Sequence, residues 1–139
     1  MLSTSVQDTI QHGVQLAKEL KRGDVVCLTG DLGAGKTHFT KGIASYFGVD
    51  ESKVQSPTFT LINEYDGELP IFHFDCYRLK NIQEALEIGA EDYFYGDGIS
   101  IVEWPEKIKN LLPEHSVWIT IKHKSDSTRE ILRGISNAP

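Results

Sequence analysis

The stretch Asp24-Val25-Val26-Cys27-Leu28-Thr29-Gly30-Asp31-Leu32-Gly33-Ala34-Gly35-Lys36-Thr37 decides the fold. From Gly30 onward it fits the phosphate-loop pattern G-x-x-x-x-G-K-[ST]. The run before Gly30 is short, apolar and β-prone, and Thr37 to Phe47 reads as a helix. Strand, Gly-rich loop and helix in that order turn a pattern into a mechanism. Glycines let the backbone close around a phosphate with successive N–H groups aimed at its oxygens. The helix N-terminus adds partial positive charge. Lys36 then reaches the β- and γ-phosphates, and the Thr37 hydroxyl suits Mg²⁺. The competing reading, a Gly-rich turn that ends in Lys-Thr by chance, leaves the flanking strand and helix unexplained.

Outward from this loop, 139 residues bound the chain to one domain, 1–139, with room for a core. Ser5 to Arg22 reads as a helix capped by Ser5 and Asp8 and stopped at Gly23, with Val6, Ile10, Val14, Ala17 and Leu20 facing the core. Thr58 to Tyr65 and Pro70 to Asp75 read as two strands joined through the Asp66-Gly67 turn. Asn81 to Ile88 reads as a short capped helix that buries Leu86 and Ile88, and Gly89 to Gly98 as a polar and aromatic loop. Ile99 to Glu103 is a buried strand, Glu106 to Leu112 a short helix, Val117 to Ile121 an alternating strand and Arg129 to Leu132 a last strand. The tail Ser136 to Pro139 is expected to fray. The fold class expected is α/β: a phosphate-loop NTPase fold with a mixed, mostly parallel sheet flanked by helices and carrying an antiparallel hairpin.

The start of the chain lacks the basic and apolar blocks of a targeting signal, and no apolar run is long enough to cross a membrane. A cytoplasmic location is expected. Cys27 and Cys76 read as reduced, packed thiols. A net charge of −6 argues against nucleic-acid binding by bulk electrostatics. Lys122, His123, Lys124, Arg129 and Arg133 make either a local basic patch or a solvated charged edge.

A phosphate loop needs a carboxylate for the Mg²⁺ shell, placed after a neighbouring apolar strand. Asp75 and Glu103 each close such a strand, and in α/β sheets ligands gather at strand carboxyl ends. The sequence leaves open which of the two touches metal and which orients the attacking water. Thr58 falls where nucleotide switches carry a γ-phosphate sensor. Arg78 can stabilise phosphoryl charge or pair with a carboxylate. Trp104 can stack on adenine or fill core. His73, between Phe72 and Phe74, reads as a packed, hydrogen-bonded histidine.

Four blocks in order carry a family resemblance: Gly30-Asp31-Leu32-Gly33-Ala34-Gly35-Lys36-Thr37, Ser56-Pro57-Thr58-Phe59, His73-Phe74-Asp75-Cys76-Tyr77-Arg78-Leu79 and Val102-Glu103-Trp104-Pro105-Glu106. Together they resemble the bacterial TsaE (YjeE) family across nearly the whole chain. That resemblance implies ATP or ADP binding and weak hydrolysis with Mg²⁺. It also implies work with TsaB and TsaD, the latter transferring threonylcarbamoyl to adenosine 37 of tRNAs that read codons starting with A. The chain would not make that transfer, and would meet tRNA only through its partners. The candidate nucleotide-binding residues are Asp31, Leu32, Gly33, Ala34, Gly35, Lys36, Thr37, His38, Thr58 and Trp104. The candidate metal residues are Thr37, Asp75 and Glu103, and the candidate catalytic residues are Lys36, Asp75 and Glu103. Two rival readings are a small-molecule kinase, which needs an acceptor pocket and commonly an Arg-bearing lid, and a nucleotide-dependent binding module with incidental hydrolysis. With arginine only at 22, 78, 129 and 133, the chain shows no Arg-rich insertion of the kind a kinase lid uses.

Overall fold

A computed structural model of the chain describes residues 1–30, 35–55 and 61–134. Asp31, Leu32, Gly33 and Ala34 of the loop, the segment Ser56 to Thr60 with Thr58, and the tail from Ile135 lie outside the described residues. The elements in order are β1 (Leu2–Ser3), α1 (Val6–Ala17), β2 (Val25–Thr29), α2 (Lys36–Tyr46), β3 (Ile62–Tyr65), β4 (Ile71–Asp75), α3 (Ile82–Glu87), α4 (Ala90–Phe94), β5 (Ile99–Glu103), β6 (Val117–His123) and β7 (Arg129–Gly134).

All seven strands join one sheet in the order β1-β7-β6-β2-β5-β4-β3. Its centre, β6-β2-β5-β4, is parallel. β3 pairs antiparallel with β4, β7 with β6 and β1 with β7, so the sheet is mixed with a hairpin at each side. β2 and β5 are the innermost strands, buried from Val25 to Leu28 and from Ile99 to Glu103, and are rich in apolar residues because both faces are covered. Alternation sorts their side chains. Val26, Leu28, Ile71, Ile99, Ile101, Ile119 and Ile121 join Phe39, Ile43 and Leu16 in one core. Val25, Cys27, Phe74 and Val102 join Phe94, Ala85 and Ile108 in the other. Both cysteines are free thiols in that second core, and burial pushes each up to about 12.

Ser5 caps α1 by accepting the Asp8 N–H at 3.0 Å, and the Asp8 carboxylate reaches back to the Thr4 N–H. The helix stops at Ala17, short of the expected Arg22. Two tight bonds, Glu19 N–H to Leu16 O and Leu20 N–H to Ala17 O, close its last turn, and the Asp24 carboxylate then takes the Lys21 N–H. Val6 is exposed rather than core-facing, and Leu16 takes its place inside. The expectation at α3 is corrected too: Leu86 and Ile88 are exposed, while Ala85 is the buried residue. A six-residue helix buries one narrow stripe. The expected loop after Gly89 holds α4, whose Phe94 is fully buried and packs against Phe74 at 5.1 Å between rings. β1 had no signal in the sequence. Two residues suffice because Ile131 N–H reaches Met1 O at 2.8 Å and the buried Ser3 hydroxyl bonds Thr9.

Helices α1 and α2 cross where Gly13 meets Gly42. A Cβ built on Gly42 falls 2.0 Å from Ile10 O, and one on Gly13 falls 2.2 Å from Phe39 O. Neither position has room for a side chain. The close crossing brings the start of α1 beside the start of α2, which sets up the site.

Candidate active site

Gly35 caps α2 at φ 107°, a backbone region that disfavours any side chain, and no described side chain caps the helix. Lys36 is the first helical residue. Its side chain runs back over the end of β2 and donates from Nζ to Gly30 O at 2.7 Å. The ammonium also lies 4.3 Å from the centre of the Trp104 ring. Lys36 is 5% exposed, and among the described residues no carboxylate lies within ion-pairing distance of it. A buried cation with a carbonyl and an aromatic face as its neighbours is short of negative charge.

The parallel register brings the two predicted carboxylates side by side. Glu103 pairs with Leu28 on one side and with Asp75 on the other, all at strand carboxyl ends. Glu103 is buried, and its Oε2 lies 2.6 Å from His73 Nε2. Asp75 turns Oδ1 to the Tyr77 N–H at 2.9 Å. Burial raises the Asp75 carboxyl above its ordinary range. The Tyr77 N–H opposes that rise, the Glu103 charge adds to it, and His73 and Lys36 pull the other way. Trp104 follows Glu103 at φ 57°, a left-handed conformation rare for a bulky residue. That turn swings the indole over Lys36 and against Tyr77, 5.0 Å between rings.

A cavity of about 520 Å³ opens over the α2 N-terminus. Gly35, Lys36, Thr37, His38 and Glu103 form its floor. Thr4, Ser5, Val6 and Thr9 from the start of α1 form one wall, and Asp126, Ser127 and Arg129 from the β6–β7 hairpin form another. Asp75 and Trp104 stand just outside the lining and reach it through Glu103 and Lys36. His38 is held below its ordinary value by burial and by the charges of Lys41 and Arg129, so its imidazole is neutral near pH 7. Its buried Nδ1 has no partner among the described residues. Thus Lys36, Thr37, His38 and Glu103 come together at one cavity, with Asp75 and Trp104 adjacent. Arg78 does not line the cavity. The α1 and β6–β7 walls were missed, because the crossing of α1 on α2 and the docking of β1 on β7, which bring them to the loop, join residues far apart in the chain.

The family model described as "Threonylcarbamoyl adenosine biosynthesis protein TsaE" matches residues 3–131. The chain belongs to the TsaE family. The TsaE relative from Treponema pallidum, a tRNA threonylcarbamoyladenosine biosynthesis protein, is 42% identical over 130 residues, covering 94% of this chain and 96% of the relative. The TsaE of Bacillus subtilis is 49% identical over 112 residues, covering 80% of this chain and 69% of that protein. In three dimensions the chain is similar to the crystal structure of Bacillus subtilis YdiB. The TM-score is 0.78 at 39% identity, over 96% of this chain and 82% of that one. The TsaE fold is therefore present here with its mixed seven-stranded sheet.

Proposed function

We propose that this TsaE-family chain binds and hydrolyses ATP with Mg²⁺, and that it does so with TsaB and TsaD to sustain threonylcarbamoyl modification of adenosine 37 in tRNA. The observation that carries the reading is the buried Lys36 ammonium facing Glu103 across one cavity, without a carboxylate partner among the described residues. A phosphate fits that charge, and the uncapped α2 N-terminus supplies N–H donors and dipole for the same anion.

The residues divide the work as follows. Lys36 leaves Gly30 O for the β/γ-phosphates and offsets the charge that builds on the transferred group. Thr37 and Asp75, oxygen donors of the kind Mg²⁺ takes, would hold the metal. When bound, Mg²⁺ neutralises phosphate charge. Glu103 orients the attacking water and accepts its proton. Hydrolysis needs little more from a base, because positioning and electrostatics dominate in a loose transition state. Trp104 covers Lys36 and excludes bulk water from it. The remainder of the cavity, between the start of α1 and the β6–β7 hairpin, has the size and position to take the nucleoside.

The test is ATP hydrolysis by the purified chain, alone and with TsaB and TsaD. Acceptor-independent hydrolysis that rises strongly with the pair is expected. ATP bound but never hydrolysed faster with the pair would move the reading to a binding module. Turnover that requires a small acceptor would move it to a kinase.

A further inference from the structure

His73 sits in β4 with none of its surface exposed, on the face of the sheet otherwise filled by Ile71, Ile99 and Ile101. A β-branched apolar residue would suit that place. An imidazole there must be desolvated, and it stabilises nothing unless both ring nitrogens find partners. Both do. Nε2 lies 2.6 Å from Glu103 Oε2, and Nδ1 lies 3.1 Å from the Tyr65 hydroxyl. The Tyr65 oxygen in turn lies 3.0 Å from Gln55 O and accepts the Gln55 N–H at 3.3 Å. An ionised carboxylate only accepts, so Nε2 carries the proton that Glu103 receives. The line of contacts runs from backbone at Gln55 through two side chains to one oxygen of Glu103. Oε1 of Glu103 has no protein partner among the described residues.

We propose that His73 and Tyr65 are positioning residues for Glu103. His73 fixes the carboxylate by Oε2 and so presents Oε1 to the cavity, while Tyr65 fixes the ring by Nδ1. This inference rests on the catalytic place given to Glu103 above. The geometry also explains why the chain keeps polar atoms in an apolar core. Their value lies in the one orientation they impose on a side chain with three rotatable bonds.

The test uses Tyr65→Phe, which removes one oxygen, together with His73→Gln, which returns an N–H near the Nε2 position, and His73→Leu, which returns none. Each is made in the native chain and in Glu103→Gln. In the native background His73→Leu is expected to lower kcat for ATP hydrolysis about 10- to 100-fold, the range for outer partners of a catalytic group. KM should stay within about twofold, because binding contacts are untouched. Tyr65→Phe is expected to lower kcat less, and His73→Gln to recover part of the loss. In the Glu103→Gln background all three should have no further effect, since their influence passes through that carboxylate. Equal losses in both backgrounds would mark a merely structural role and overturn the proposal, as would an unchanged kcat. A second measurement needs no nucleotide. The ¹³C resonance of the Glu103 carboxyl should move on Tyr65→Phe although the two side chains do not touch, and an unmoved resonance overturns the proposal. If the native chain hydrolyses no ATP under any condition, the ATPase reading fails, and this resonance still decides whether Tyr65 acts on Glu103.

Discussion

At Lys36 a full positive charge is almost enclosed by protein, held by one carbonyl and one indole face. Neither supplies a counter-charge, so the side chain is prepared for an anion at some cost to the fold. Lys36→Ala is therefore expected to weaken ATP binding about 10- to 100-fold, the loss of one charge-assisted contact, as titration calorimetry would measure. Unchanged affinity would remove the phosphate-loop assignment. Glu103→Gln should divide differently, lowering kcat about 100-fold or more with little change in ATP affinity; equal loss of both would make Glu103 a metal or structural residue. Asp75 gives a prediction in pH. Its carboxyl is raised in the folded protein, chiefly by burial with Glu103 adding to it, so the native state holds the proton more tightly than the unfolded chain does. That stabilisation is complete below the ordinary carboxylate range and is lost as pH rises through the raised value. Asp75→Asn should thus raise the Tm of the nucleotide-free protein at pH 7 and above, and the gain should shrink toward zero in acid. A Tm gain independent of pH would place its cause elsewhere. Lys36, Thr37 and Glu103 were legible in sequence because each belongs to a local pattern. The His73–Glu103 bond was not, since it depends on the register between β4 and β5, which no local pattern fixes.

At the scale of elements, β5 was read with the right bounds and β2 was placed directly before Gly30, because β-prone runs between turn residues leave little choice. α1 was read too long because its pattern continues past Ala17 while its hydrogen bonds do not. The crossing of α1 on α2 escaped sequence reading altogether. Gly13 and Gly42 sit mid-helix, where glycine is locally unfavourable, and only the backbone of the facing helix explains them. Gly42→Ala is expected to destabilise the fold by about 1–3 kcal/mol through overpacking, despite the better helix propensity of alanine. That corresponds to a Tm lower by roughly 3–10 °C in a thermal melt. A rise in Tm would show that the helices separate without cost. Because the same crossing brings the start of α1 against the phosphate-loop helix, Gly42→Ala should also weaken nucleotide binding more than its stability loss alone explains.

For the molecule as a whole, charge decides how a tRNA-modification protein can meet its RNA. The chain carries 14 lysines and arginines against 20 aspartates and glutamates. The basic side chains from Lys122 to Arg133 lie on β6, β7 and the hairpin between them, and acidic neighbours answer them there. Lys124 pairs with Glu130 at 3.2 Å and Arg133 with Glu19 at 2.9 Å, while Lys122 stands across the ladder from Glu130. Arg129 faces the nucleotide-sized cavity rather than an outer groove. RNA affinity without sequence readout grows with the number of phosphates that cations neutralise, and each one falls away as salt rises. An edge with Lys124 and Arg133 already in ion pairs and Arg129 turned to the cavity, on a chain of net charge −6, has few cations left to offer. The purified chain alone is expected to show no measurable tRNA binding by fluorescence anisotropy at about 0.15 M salt, where screening reaches about 8 Å. Addition of TsaB and TsaD should bring it onto tRNA. Direct binding by the chain alone, falling steeply with added salt, would show that β6 and β7 form a true RNA-facing surface. Glu130→Gln separates the two outcomes further. Freeing Lys124 should strengthen such binding if the edge is an RNA surface, and should change nothing if RNA is reached only through the partners.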